Sequence, residues 1–356
     1  MTALRSWVAT RVAVALLVLA GTAQLFGDRA DGFLARWDRW DVTLLAKVAR
    51  YGYAGYPAHY QDKDIAAFFP GFPLVLRAVH GVVPNWTAAG LLVSLVAGAV
   101  AVVFLARLAE LDGVDGSRAA LYLVLSPYAV FLAAGYSEAL FLACALPGWL
   151  AARKGHWAAA SLLVAAACTV RVSGAFLAVA LVVQWATSSR DWRVAPWLAA
   201  PFLALFGYAA YLHHLTGDWL RWQHAQAGTW GRHLTSPWQA LQTTWDAAAN
   251  PAAGAEYQWS FRAEIVAVFV GVVVTLVLLA RRSWGEATYV GLSVAALATS
   301  SYYLSVARAT LLWFPLWLLL AELAGRRPWV HTAYLTLATP LMAVAVLTFT
   351  ASRWVG

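Results

Sequence analysis

AAGLLVSLVAGAVAVVFLAR, residues 88–107, meets no charge until its last residue, and its reading decides the architecture. About twenty residues of helix rise roughly 30 Å, the thickness of the hydrocarbon core of a bilayer. Comparable apolar runs recur along all 356 residues: 62% of the chain is hydrophobic, 12% is charged, and the mean hydropathy is +0.65. That composition lies far from soluble domains and predicts an all-α polytopic membrane protein. Spans are predicted at 8–26, 88–107, 118–134, 137–152, 156–171, 172–188, 194–214, 262–281, 286–304, 308–324 and 329–350. The expectation is a single domain over residues 1–356, a bundle of about eleven transmembrane helices. Arg5 and Arg11 before the first apolar run resemble the start of a signal peptide, but with so many spans following, an uncleaved first helix is expected.

Residues 68–83 are predicted not to cross. Pro70, Gly71, Pro73, Arg77, His80 and Gly81 crowd there, and an arginine at a helix centre costs roughly 2.5–3.5 kcal/mol to insert. With that segment uncrossed, Arg107, Arg118, Arg153, Lys154, Arg190, Arg193, Arg281, Arg282, Arg326 and Arg327 all fall on the cytoplasmic side, as the positive-inside rule requires. Two long loops, 27–87 and 215–261, then emerge at the outer face of the cytoplasmic (plasma) membrane and face each other. In the first, residues 40–51 place Leu44, Leu45 and Val48 on one helical face with Lys47 and Arg50 off it, the pattern of a helix lying in the interface. The second is rich in Trp, His and Gln, which suits a lid or lining over a polar head group.

Several function classes are excluded or disfavoured. No Gly-x-Gly-x-x-Gly or Walker pattern is present, so a nucleotide-binding domain is not expected. The net charge of +8 comes from basic residues scattered in pairs between apolar runs, which reflects topology and not nucleic-acid binding. Cys144 and Cys168 fall inside apolar runs, where cysteine acts as a small hydrophobe, and no disulfide framework or zinc spacing appears.

The chemistry-bearing residues collect at the predicted outer face. Arg36-Trp37-Asp38-Arg39-Trp40-Asp41 sits just after the first span. Asp38 and Asp41 are three apart and share a face if a helix begins near Trp37, which suits either acid/base work or helix capping. Asp62-Lys63-Asp64 has the spacing of an Asp-x-Asp metal motif, but it lies in a polar loop and reads first as a solvated turn. Glu138, in Gly135-Tyr136-Ser137-Glu138, stands at the outer end of a span, where an ionisable group is either functional or snorkelling to the interface. Arg171 lies between two apolar runs that read as a helical hairpin; its guanidinium can grip a lipid phosphate in bidentate fashion. Arg308 reaches the same level by parity, as a phosphate ligand or an interfacial anchor. His213, His214, Asp218, His224, Arg232 and His233 cluster in or beside the second loop, match no metal motif, and read as solvated residues or substrate contacts.

Assembled, these pieces resemble the GPI mannosyltransferase II family, the PIG-V type of lipid-donor glycosyltransferase with a GT-C fold. The first-loop motif corresponds to Trp40-Asp41, Val48-Ala49, Gly52-Tyr53 and Ala67-Phe68-Phe69-Pro70, which selects Asp41 over Asp38 as the family aspartate. Pro127 through Tyr136-Ser137-Glu138 and the stretch from Arg171 to Gly174 extend the match, with Val172-Ser173 departing from the family's polar pair. The resemblance implies an inverting transfer of mannose from polyprenyl-phosphate-mannose, with Asp41 as general base and Arg171 and Arg308 on the donor phosphate. Arg39, Trp40, Asp38, Tyr136, Glu138, His224 and Arg232 are further active-site candidates. No cofactor is required; a divalent metal is compatible but not demanded, since arginines supply positive charge. Eukaryotic members act on GPI precursors, whereas this short, arginine-rich chain looks bacterial, of an actinobacterial kind, so a cell-envelope glycolipid, lipoglycan or protein is the expected acceptor. The rival readings are a lipid or small-solute transporter, which usually shows paired repeats that this chain lacks, and a noncatalytic membrane scaffold.

Overall fold

Asn85 starts one of the two longest apolar helices by accepting the Ala88 N–H on its side-chain oxygen at 2.9 Å, and Asp115 starts another by accepting from Ser117 and Arg118 at 3.0 and 3.1 Å. Such caps satisfy amides that have no partner inside the helix. The computed structural model describes residues 2–22, 24, 32–54, 64–188 and 191–355. In it run α1 (Thr2–Leu16), α2 (Asp41–Tyr51), α3 (Gly71–His80), α4 (Trp86–Leu111), α5 (Gly116–Val124), α6 (Ser137–Arg153), α7 (Trp157–Val170) and α8 (Ser173–Ser188). They are followed by α9 (Ala200–Thr216), α10 (Arg221–Trp230), α11 (Pro237–Ala249), α12 (Ala255–Ala280), α13 (Trp284–Ala298), α14 (Val306–Ala309), α15 (Phe314–Arg326) and α16 (Pro328–Thr350). Among the described residues there is no strand, only an isolated bridge between Leu234 and Ser300. The fold is that of an all-α polytopic membrane protein.

The chain forms two compact units. The first comprises Met1–Ala46, Val75–Leu150 and Leu311–Val355. Here α5 packs on α1, α4 and α15. Trp7 is fully buried, donates its indole N–H to the Leu95 carbonyl at 3.2 Å, and lies where Gly98 leaves room; a Cβ at 98 would come within 2.1 Å of the ring. A π-helical turn, Leu17–Thr22, ends the first span, and the buried Arg36 guanidinium donates to its Val18 carbonyl at 2.7 Å. The second unit comprises Lys47–Leu74 and Ala151–Thr310, where α13 packs on α8 and α12, α9 on α7, and α11 on α12. Arg153 and Glu286 form an ion pair there at 3.3 Å.

Five helical segments are long and apolar enough to cross a bilayer among the described residues: Ala3–Gly21, Trp86–Leu111, Ala195–Thr216, Ala255–Ala280 and Pro328–Thr350. The bent pair Val306–Leu312 and Phe314–Arg326 adds a sixth if counted as one span. Of the other predicted spans, 137–152 is filled by α6 (Ser137–Arg153), and the rest contain shorter or interrupted helix. Residues 118–134 hold α5 only as far as Val124, because Ser126-Pro127 removes a donor and restricts the preceding residue, and a 3-10 turn at Ala129–Leu132 follows. The span placed at 286–304 stops at Ala298, and α7 and α8 have 14 and 16 residues, so about 21–24 Å of rise. Helices this short fit a bundle whose ends are covered by protein.

Helix α3 has ten residues, about 15 Å of rise, too short to cross, with Arg77 exposed. Helix α2 starts one residue later than read from sequence and departs from the expected interfacial role. Leu44, Leu45 and Val48 are 3–6% exposed, so its apolar face is buried in protein instead of being offered to lipid. Cys168 is buried and Cys144 half-buried, and both are free thiols.

Candidate functional site

Trp40 adopts φ 53°, a left-handed conformation rare for a non-glycine residue, and this turn directs the chain into α2 with Asp41 as its first residue. The Asp41 backbone N–H, one of the first-turn amides without an intrahelical partner, donates to the Tyr136 hydroxyl at 3.2 Å. Tyr136 is buried, its ring 5.0 Å from Phe131 and 5.8 Å from Phe349. The turn before it is pinned by Ser94, whose hydroxyl donates to the Ala134 carbonyl at 2.6 Å, while Gly135 lies against Gly90 and Val42. Two residues on, Glu138 is fully buried in the first turn of α6. Trp40 is partly exposed and meets Trp354 edge-on at 5.5 Å. The first unit thus joins Asp41, Trp40 and Tyr136 in one place.

Asp38 corrects an expectation. The helix does not begin near Trp37, so Asp38 and Asp41 do not share a helical face. Asp38 closes a 3-10 turn (Ala35–Trp37) with its backbone N–H on the Ala35 carbonyl, and is exposed; Arg39 beside it is half-buried.

In the second unit the Ala67-Phe68-Phe69-Pro70 stretch is clasped by side chains. The Tyr208 hydroxyl lies 2.8 Å from the Ala66 carbonyl and 2.9 Å from that of Phe68, and Tyr53 also donates to Phe68, at 2.7 Å. The indole of Trp222 donates to the Ala67 carbonyl at 3.1 Å. Burial pushes the Tyr53 phenol well above its ordinary range, so it acts as a neutral donor. Asp64 accepts the Ala66 N–H at 3.0 Å and forms an ion pair with Arg221. Its carboxylate is therefore committed to protein partners, which differs from both the metal and the solvated-turn readings; Asp62 and Lys63 lie outside the described residues. Parts of the two predicted long loops, residues 64–69 and α10, are in contact here.

Gly71 ties this stretch to Arg171. A Cβ at 71 would lie 2.8 Å from the Thr169 carbonyl oxygen and 2.6 Å from its hydroxyl, so only glycine lets α3 approach the end of α7. Gly71→Ala is expected to destabilise the protein by about 1–3 kcal/mol, since the clash is with backbone. Thermal unfolding in detergent measures it, and an unchanged midpoint would contradict the close approach. Arg171 follows as the break between α7 and α8: φ −153°, ψ 153°, half-buried, its carbonyl accepting the Gly174 N–H at 2.9 Å. The hairpin read from sequence is present.

Arg308 is half-buried in the four-residue helix α14. Its neighbourhood contains a residue the sequence reading passed over. Glu264 of α12, 2% exposed, accepts the N–H groups of Ser305, Val306 and Ala307 at 2.8, 2.6 and 3.0 Å. Arg232 donates to the Leu304 carbonyl at 2.8 Å and so belongs to the same neighbourhood. His224 does not: it is exposed and pairs with Asp218 at 2.7 Å, a contact that holds the Asp218 carboxyl below its ordinary range. His213 stacks on Trp219 at 4.1 Å, and His233 bonds Ser301 at 2.8 Å. Among the described residues no three His, Cys, Asp or Glu side chains are grouped to hold a metal ion. One signal would have found Glu264, namely a carboxylate inside a predicted span.

Residues 8–187, half of the chain, match the family described as Mannosyltransferase (PIG-V). The chain belongs to this family. GPI alpha-1,6-mannosyltransferase 2 of Mus musculus is 34% identical over 157 residues, and its counterpart in Homo sapiens is 33% identical over 159. Each alignment covers 40% of this chain and 30% of the relative, so the match spans less than a third of the relatives' length. No solved structure matches the chain. Within the PIG-V match lie Asp41, Tyr136, Glu138, the clasped Phe68-Phe69 stretch and Arg171; Arg232, Glu264 and Arg308 lie beyond it.

Proposed function

We propose that this PIG-V family member is an integral membrane mannosyltransferase of GT-C type. It takes mannose from polyprenyl-phosphate-mannose at the outer face of the cytoplasmic membrane and delivers it to a cell-envelope glycolipid, lipoglycan or protein. Asp41 removes the proton from the acceptor hydroxyl; the freed oxygen attacks C1 of mannose; the C1–O bond to phosphate breaks and polyprenyl phosphate departs. A single base opposite the leaving group implies inversion, from a β-linked donor to an α-mannoside. The phosphate is already a competent leaving group, so the protein mainly orients the reactants and balances developing charge. Arg171 and Arg308 take the phosphate in this reading, and no metal is demanded.

The observation that carries the proposal is Asp41 as the first residue of α2, within the stretch that matches the family, with its amide on the buried Tyr136 hydroxyl. Its test is incubation of the purified protein with labelled polyprenyl-phosphate-mannose and a cell-envelope lipid extract. Labelled mannose in a glycolipid or glycoprotein fraction is expected. Donor movement across vesicles without transfer would replace the enzyme by a transporter.

Topology has its own test. A cysteine at Asn85 is expected to react with impermeant maleimide from the outer side only, the lost cap weakening α4 by roughly 1 kcal/mol. Labelling only from the cytoplasmic side would overturn the outward placement of residues 27–87.

A further inference from the structure

We infer that Glu264 is a positioning residue that fixes the backbone carrying Arg308, an inference that rests on the reading of Arg308 as a donor-phosphate ligand. A carboxylate inside a 26-residue apolar helix is retained only where its oxygens are satisfied, and here three consecutive amides converge on it. Those amides are the orphan donors at the start of α14, which is one turn long and cannot hold itself, since a single turn fixes more dihedrals than its hydrogen bonds offset. Ser305, just before it, has φ 61°, a conformation disfavoured for a residue with a Cβ.

The chain on either side is held by side chains as well. The Tyr303 N–H donates to the Thr244 hydroxyl at 2.8 Å, the Tyr302 hydroxyl to the Trp230 carbonyl at 3.0 Å, and Arg232 to the Leu304 carbonyl. Among the described residues, Glu264 is the side chain that accepts from all three amides leading into Arg308. Without it the three amides lose their acceptor, and the backbone that carries the guanidinium loses its main anchor. The pairing links a carboxylate on α12 to an arginine forty-four positions later, both beyond residues 8–187.

The experiment combines hydrogen exchange with a double-mutant cycle on the full-length protein. Glu264→Gln keeps the shape but offers one acceptor oxygen to three amides. Exchange at residues 305–307 is expected to accelerate while α13 is unchanged, and kcat/KM for polyprenyl-phosphate-mannose to fall by roughly 10- to 100-fold, the loss of one or two charge-assisted bonds. In an Arg308→Ala background the same substitution is expected to cost no more than about twofold, because residues acting through one another are not additive. Glu286→Gln, which breaks the pair with Arg153, serves as a control that leaves donor kinetics unchanged.

Equal losses in both backgrounds, or rapid exchange with full activity, would overturn the positioning role while leaving the transferase intact. Absence of transfer by the unsubstituted protein would instead sink the transferase reading and the catalytic half of this inference together; unaltered exchange at 305–307 would sink the clasp itself. If Glu264→Gln does not reach the membrane, Glu264→Asp, which keeps the charge on a shorter arm, carries the same cycle with the same outcomes.

Discussion

Replacing Asp41 with asparagine is expected to lower mannose transfer by about 10² to 10⁴, the usual contribution of a general base, while the protein still folds and still binds donor. Asparagine keeps the shape and the backbone N–H to Tyr136 but cannot accept the proton. The stability change should be small, since a first-turn carboxylate gains about 0.3–1 kcal/mol from the helix dipole. Asp38→Asn provides the contrast: Asp38 is exposed and outside α2, so its activity is expected to match the unsubstituted enzyme. Tyr136→Phe removes the acceptor for the Asp41 amide, costs about 1 kcal/mol of stability and lowers the rate less than Asp41→Asn. Rates measured at saturating donor with unfolding midpoints alongside decide the matter. An active, well-folded Asp41→Asn protein would end Asp41's candidacy, and inactivity confined to Asp38→Asn would move the base into the preceding turn.

The contrast between those aspartates shows where sequence reading succeeds and where it stops. Hydropathy located the long apolar helices because a bilayer demands apolar length, a property that sums along the chain, but it passed over α10 and α11 inside the second predicted loop. It failed on continuity at Ser126-Pro127, where one residue's missing N–H outweighs a run of apolar neighbours. It also took the apolar face of α2 for a lipid contact, because burial in protein and burial in lipid leave the same pattern on Leu44, Leu45 and Val48. Local spacing placed Asp41 and Arg171 at helix ends. It did not show that Trp40 adopts a left-handed turn that separates Asp38 from the helix. Contacts made across long separations were silent: the hold of Tyr208 on Ala66 and Phe68 spans 140 residues or more, and nothing in either stretch announces the other. The Trp, His and Gln content of the second loop suggested a lid or lining, but not that Trp222 and Gln226 donate to the Ala67 carbonyl.

Arg171→Ala and Arg308→Ala are each expected to reduce kcat/KM for polyprenyl-phosphate-mannose by roughly 10² to 10³, the range seen when one preorganised donor to developing negative charge is removed. The two arginines reach their positions differently, and this gives the prediction its structure. Arg171 sits at a helix break whose backbone is fixed by its own bonds to Ala167 and Gly174, so shortening the side chain leaves the hairpin standing. Arg308 sits on a one-turn helix whose amides are held by Glu264, so truncating the Arg308 side chain leaves that backbone contact in place. Arg171→Lys should therefore recover part of the loss, because charge survives at a rigid site while the bidentate fork does not. Arg308→Lys should likewise recover only part of the loss, since charge survives while the bidentate fork is lost. If the arginines stabilise the departing phosphate, the loss appears mainly in kcat and leaves the acceptor KM unchanged. Normal donor kinetics in both alanine variants would make these arginines interfacial anchors and require another source of positive charge for the leaving phosphate.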